Sequence, residues 1–111
     1  MANKVRGEVE VTLKGKKYVL RPTFEAIAEA ESRIGLGMTG IALKFARQEH
    51  GMREVAAMIY AGLLGAGNTA FSYEEVGGLV QKAGFSKFVQ PACDFAREAM
   101  RGDVEEEEEK K

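Results

Sequence analysis

Residues 7–13, Gly-Glu-Val-Glu-Val-Thr-Leu, alternate polar and apolar side chains, the pattern of a half-buried strand. A second short run, Tyr18-Val-Leu-Arg-Pro22, follows after Lys14-Gly15-Lys16-Lys17. Glycine at the first central position of a two-residue turn suits type II′, and Gly15 in that role predicts a hairpin over residues 7–22. Its register sets Leu13 opposite Tyr18 and Val11 opposite Leu20 on one face, with Glu10 opposite Arg21 on the other. Apolar side chains then meet apolar ones, and opposite charges meet, as cross-strand energetics prefer. A two-stranded hairpin is marginal in water. The face carrying Val9, Val11, Leu13, Tyr18 and Leu20 therefore needs a layer to cover it, and the remaining chain reads as helical.

Thr23 is an N-cap candidate for a helix from Phe24 to Ile34, with Phe24, Ile27, Ala28 and Ile34 inward and Glu25, Glu29 and Arg33 toward water. Gly35-Leu36-Gly37 ends it. Thr39 is positioned to cap a second helix to about Glu49, burying Ile41, Ala42 and Phe45, and His50-Gly51 breaks the pattern. A third helix over 53–64 places Val55, Met58, Ile59 and Leu63 on one face. Gly65-Ala66-Gly67-Asn68 is a loop by composition. Ser72-Tyr-Glu-Glu75 is a capping box, in which serine and glutamate each satisfy the other's unpaired amide. It opens a helix with Val76, Leu79, Val80 and Ala83 inward, stopped by Gly84. A last helix begins at Ser86 or Gln90 and runs to about Arg101, burying Phe88, Ala92, Phe95, Ala96 and Ala99. Pro91 within it predicts a kink or a start at that residue. The expected fold class is α+β and mostly helical: an N-terminal β-hairpin followed by four or five short α-helices. Residues 1–102 form a single globular domain in this reading, with the hairpin at 7–22 and the helical part at 23–102. Residues 103–111 are expected to be a disordered acidic tail.

Composition narrows the function classes. The chain has 111 residues, 30% charged and 45% hydrophobic. No apolar run approaches the roughly 18 residues of a membrane span. No apolar h-region of a signal peptide is present at the N-terminus, which predicts a cytoplasmic protein. Net charge is −1, but residues 103–111 carry −4 and residues 1–102 carry +3. That balance is too weakly basic for a nucleic-acid binder. The Lys14, Lys16 and Lys17 cluster at the hairpin turn fits ordinary protection of a strand edge.

The apparent motifs fail on context. Gly35-Leu-Gly-Met-Thr-Gly40 spells G-x-G-x-x-G, but that fingerprint needs a preceding strand, and a helix is predicted there. Gly62-Leu-Leu-Gly-Ala-Gly67 lacks the Lys-Ser or Lys-Thr of a phosphate loop. Cys93 is the one cysteine and His50 the one histidine. Cys93 shares a stripe with Val89, Ala96 and Met100, and reads as a small core residue. A catalytic thiol would need His50, which falls in a polar loop. Glu25, Glu29 and Glu31 read as a solvated helix face. No catalytic, cofactor-binding or metal-binding residue is expected, and the chain reads as a non-enzyme that binds other proteins.

Val5-Arg-Gly-Glu-Val-Glu-Val-Thr-Leu13, Tyr18-Val-Leu-Arg-Pro-Thr-Phe24 and Ala26-Ile-Ala-Glu-Ala-Glu31 resemble small proteins of phage tail modules and gene transfer agents. Ile59-Tyr-Ala-Gly-Leu63 and Ser72-Tyr-Glu-Glu-Val-Gly-Gly-Leu79 are similar to the same family, whose members are labelled tail tube proteins or tail assembly chaperones. The resemblance covers residues 5–100 and brings no catalytic or cofactor residue. It implies a tail assembly chaperone that binds the tape measure protein or tube subunits, or alternatively a structural tube component retained in the virion tail. Self-association is left open. Methionines such as Met52, Met58 and Met100 suit an adaptable binding surface.

Overall fold

The structure, a computed structural model, describes residues 7–102. The expected tail at 103–111 lies outside the described residues. The chain forms a hairpin of β1 (Val9–Leu13) and β2 (Lys16–Leu20), then α1 (Phe24–Ile34), α2 (Met38–Ala46), α3 (Met52–Gly65), α4 (Tyr73–Ala83) and α5 (Val89–Arg101). A short 3-10 turn, Phe85–Phe88, leads into α5. The fold class is thus the α+β, mostly helical one that the sequence predicts.

The hairpin register differs from expectation by two residues. Val9 faces Leu20, Val11 faces Tyr18 and Leu13 faces Lys16, so the turn is Lys14-Gly15. Both turn residues have positive φ, 53° and 77°, which is the type I′ combination rather than type II′. Type I′ twists with the strands and wants glycine second, where Gly15 stands. Glu10 consequently faces Val19, and Arg21 pairs instead with Glu8 at 3.9 Å.

α3 is buried on nearly all sides and is the element around which the others pack. Its C-terminal half carries a notch of two glycines one turn apart. A Cβ on Gly62 would lie 2.5 Å from the Leu20 Cβ, and one on Gly65 would lie 2.0 Å from the Arg21 carbonyl oxygen and 2.9 Å from the Ala26 Cβ. The Arg21 amide donates to the Gly62 carbonyl at 3.0 Å. The end of β2 and the start of α1 are therefore seated directly on the α3 backbone. Gly65 belongs to the helix, not to the loop its composition suggests.

That seating rotates α1. Its buried stripe is Ala26, Ala30 and Ile34, whereas Ala28 is exposed and Phe24 is 83% exposed. Small side chains face α3 because the notch leaves no room for large ones. Arg33, expected toward open water, reaches across instead. Its guanidinium lies 4.8 and 4.6 Å from the ring centroids of Tyr60 on α3 and Tyr73 on α4, while its Nε donates to Glu29 at 2.5 Å. Cation–π attraction to two rings ties three helices at their shared rim.

Helix ends follow local chemistry. Thr23 Oγ1 accepts from the Ala26 amide at 3.1 Å, and Gly35 closes α1 in the left-handed conformation. α2 is capped by Gly37, not Thr39, and Glu31 of α1 supplies the missing acceptor to the Met38 amide at 2.8 Å. α2 stops at Ala46 rather than Glu49, because Gln48 turns left-handed and the Glu49 amide bonds back to the Lys44 carbonyl. The capping box is formed in both directions, at 3.0 and 2.7 Å. Val76 and Val80 are buried behind it, but Ala83 is exposed. Pro91 sits in the first turn of α5, where amides have no intrahelical acceptor, so no kink is needed. The core holds Phe95, Leu13, Leu20, Ile41, Met58, Ile59 and Leu63, each almost fully buried. Among the described residues no helix is long and apolar enough to cross a membrane.

Candidate functional site

α2 and α5 are far apart in sequence and adjacent in the fold. Between them an apolar groove of about 390 Å³ is lined by Ala42, Phe45 and Ala46 from α2 and by Cys93, Ala96, Arg97 and Met100 from α5. The alanines keep its floor shallow. Met100 forms one wall and is 52% exposed. Arg97 marks the rim, its guanidinium paired with Asp94. The site follows from local patterning: α2 buries Ile41 and Phe45 at i, i+4 spacing, and α5 buries Ala92, Phe95 and Ala96, leaving the flanking positions half-covered. Its chemistry is dispersion and apolar burial with one cation at the edge. That suits an amphipathic helix laid along two others.

The methionines divide. Met100 lines the groove, Met52 is 39% exposed at the start of α3, and Met58 is wholly buried and belongs to the core. Cys93 is half-buried in the groove rather than a core residue. Burial pushes its thiol pKa up, and neighbouring Asp94 adds to this against Arg97. It therefore stays protonated at neutral pH, the reverse of what a nucleophile needs. His50 stacks on Phe45 with centroids 4.6 Å apart and planes within 14°, and its buried Nδ1 has no hydrogen-bond partner. No hydrogen bond joins it to Cys93 among the described residues. The G-x-G-x-x-G string is divided between the end of α1 and the start of α2. Among the described residues no group of three or more metal-ligating side chains converges.

Among the described residues one charged group, Glu54, is buried. Glu54 on α3 accepts from Lys44 Nζ at 3.0 Å and from the Gly51 amide at 2.8 Å. It ties α2 to the start of α3. Burial raises its carboxyl pKa, but the bonds from Lys44 and Gly51 outweigh this and hold it below the usual carboxylate range. A depressed folded-state pKa contributes stability that is present above the unfolded value and lost as pH falls through the folded one. Melting temperature is therefore expected to fall more steeply below about pH 4.3 in the wild type than in Glu54→Gln, which has no proton to take up there. Parallel curves in that window would mean Glu54 makes no such contribution.

Nothing in the sequence pairs residues 42–46 with residues 93–100, so Ala42, Phe45 and Arg97 carried no signal as site residues. Met100 did, through the methionine content. No curated protein and no solved structure matches the chain. The profile of one family, described as "Phage tail tube protein, GTA-gp10", matches residues 6–102, which include every element described above. The chain belongs to that phage tail tube protein family.

Proposed function

We propose that this protein serves tail construction as an assembly chaperone, a non-enzymatic one. It holds an amphipathic helical segment of the tape measure protein, or of a tube subunit, on the α2–α5 groove until the tube closes. The observation that carries this reading is the groove itself, set in a body whose described residues form a single two-stranded sheet. A tube wall built as a continuous barrel calls for strands with free edges on both sides. Here the Arg21 amide, at one end of the outer edge of β2, is already spent on Gly62. The groove offers what a holding surface requires: apolar area, small side chains that permit close helix approach, and an adaptable methionine.

A second reading draws on the family description. It names the tube, and by itself it favours a structural subunit retained in the particle over a chaperone. Mass spectrometry of purified particles separates the two. The chaperone reading expects this chain to be missing from finished tails and to solubilise its tape measure partner on co-expression. Presence at tube-subunit copy number would replace it with the structural reading. Met100→Glu, at an exposed wall of the groove, is expected to leave folding intact and weaken partner capture about tenfold or more, since burying a methionine is worth about 1.5–3 kcal/mol. Unchanged capture by a folded Met100→Glu would move the binding face elsewhere.

A further inference from the structure

We propose that two copies of this chain pair through the outer edge of β1, antiparallel about Val11, to make one continuous four-stranded sheet. The register dictates which backbone groups are available. A two-residue turn closes on a bonded pair, so Leu13/Lys16, Val11/Tyr18 and Val9/Leu20 exchange the ladder bonds. The amides and carbonyls of Glu10 and Thr12 consequently point away from β2. Among the described residues no backbone hydrogen bond meets them, and both residues are exposed. A cleft of about 500 Å³ runs along this edge, between Glu10, Thr12 and Lys14 on one side and Lys87, Phe88 and Pro91 on the other. Such an edge is a template for another strand.

The occupant is read from the strand's own sequence, which is self-complementary. A two-fold axis at Val11 sets Glu10 opposite Thr12 of the second copy, twice. On the helix-facing side Val9 meets Leu13 and Val11 meets Val11. All five residues of β1 overlap. Outward-pointing groups bond only to each other, so neighbouring registers lie two residues away. An axis at Glu10 would oppose two Glu10 carboxylates, which repel. An axis at Thr12 would run the ladder into the turn, where Lys14 has left the extended conformation. Charge and overlap therefore select the same pairing. This contact is separate from the α2–α5 groove, and the two proposals stand or fall independently.

Sedimentation velocity of the full chain over a concentration series tests it, with circular dichroism checking the fold of each variant. The wild type is expected to be a dimer at micromolar concentration. Thr12→Pro removes an amide that makes no bond within the hairpin, a tolerated place for proline on an edge. The two symmetry-related losses are expected to raise the dimer dissociation constant roughly a hundredfold. Thr12→Glu is expected to weaken the dimer by setting like charges opposite each other at Glu10 of the second copy, and adding Glu10→Lys is expected to restore it. A monomeric wild type at every concentration overturns the proposal, as does a folded Thr12→Pro variant that dimerises normally. Should Thr12→Pro fail to fold, the charge pair decides: no loss in Thr12→Glu, or no recovery in the double variant, overturns the proposal as well.

Discussion

Gly65→Ala is expected to cost about 3 kcal/mol or more, although glycine to alanine inside a helix ordinarily gains close to 1 kcal/mol. The added Cβ would lie 2.0 Å from the Arg21 carbonyl oxygen, a backbone atom at the junction of β2 and α1, and 2.9 Å from the Ala26 Cβ. Neither neighbour is the end of a flexible side chain. Relief requires α3 to move off the hairpin, which breaks the Arg21–Gly62 hydrogen bond and uncovers Leu20 and Ala26 together. Overpacking of this kind typically costs 1–3 kcal/mol, and more where backbone must shift. Gly62→Ala is expected to be somewhat milder, because the clash at 2.5 Å is with the Leu20 side chain. The matched controls are Gly77→Ala and Gly78→Ala in α4, where nothing lies within 4 Å. Each of those is expected to gain about 0.5–1 kcal/mol. Opposite signs for substitutions of one chemistry, read from thermal melts, would establish the notch. A neutral or stabilised Gly65→Ala would show that the hairpin does not sit on α3 as described.

That notch also explains what was legible in the sequence and what was not. The capping box, the Thr23 cap and the Gly35 stop were readable because each is settled within four residues by hydrogen bonding. The hairpin's position was readable from alternation, but its register was not. A slip of two residues keeps every side chain on its original face, so Val11 faces inward whether it opposes Leu20 or Tyr18. Only the turn conformation discriminates, and Lys14 in a left-handed conformation is an uncommon choice for a non-glycine residue. α1 was misjudged for a related reason. Helical spacing turns Phe24 and Ala28 inward, yet the surface that α1 meets is glycine backbone, which Ala26 and Ala30 fit, so Phe24 and Ala28 are exposed while Ile34 is buried as expected. The groove needed information that no local pattern holds. The Cys93, Ala96 and Met100 stripe on α5 was visible, but the neighbour that turns it into a groove is α2, some fifty residues earlier. Glu54 was equally hidden, since its partner Lys44 belongs to another helix and charged residues are expected at the surface by default.

Val11→Asp is expected to abolish cooperative folding or cost about 3–5 kcal/mol. Val11 is the central residue of β1, 4% exposed, on the face pressed against the helices. A carboxylate there loses its water and finds no cation, because the surroundings are core side chains. Its pKa must rise, so the variant is expected to regain part of its stability at low pH as the carboxyl protonates, while the wild type loses stability there. Val19, half-buried on the opposite side, supplies the contrast and tests the register too. In the structure it faces Glu10. Val19→Lys then gains an opposite charge across the ladder, and Val19→Asp a like one, a difference of about 0.2–1 kcal/mol each way at low salt. The register centred two residues away would put Thr12 across from position 19 and leave the two variants equal. Thermal melts of the three variants thus examine the buried face and the pairing separately: Val11→Asp reports that this side of β1 is covered, and the Lys/Asp difference at 19 reports which residue stands opposite.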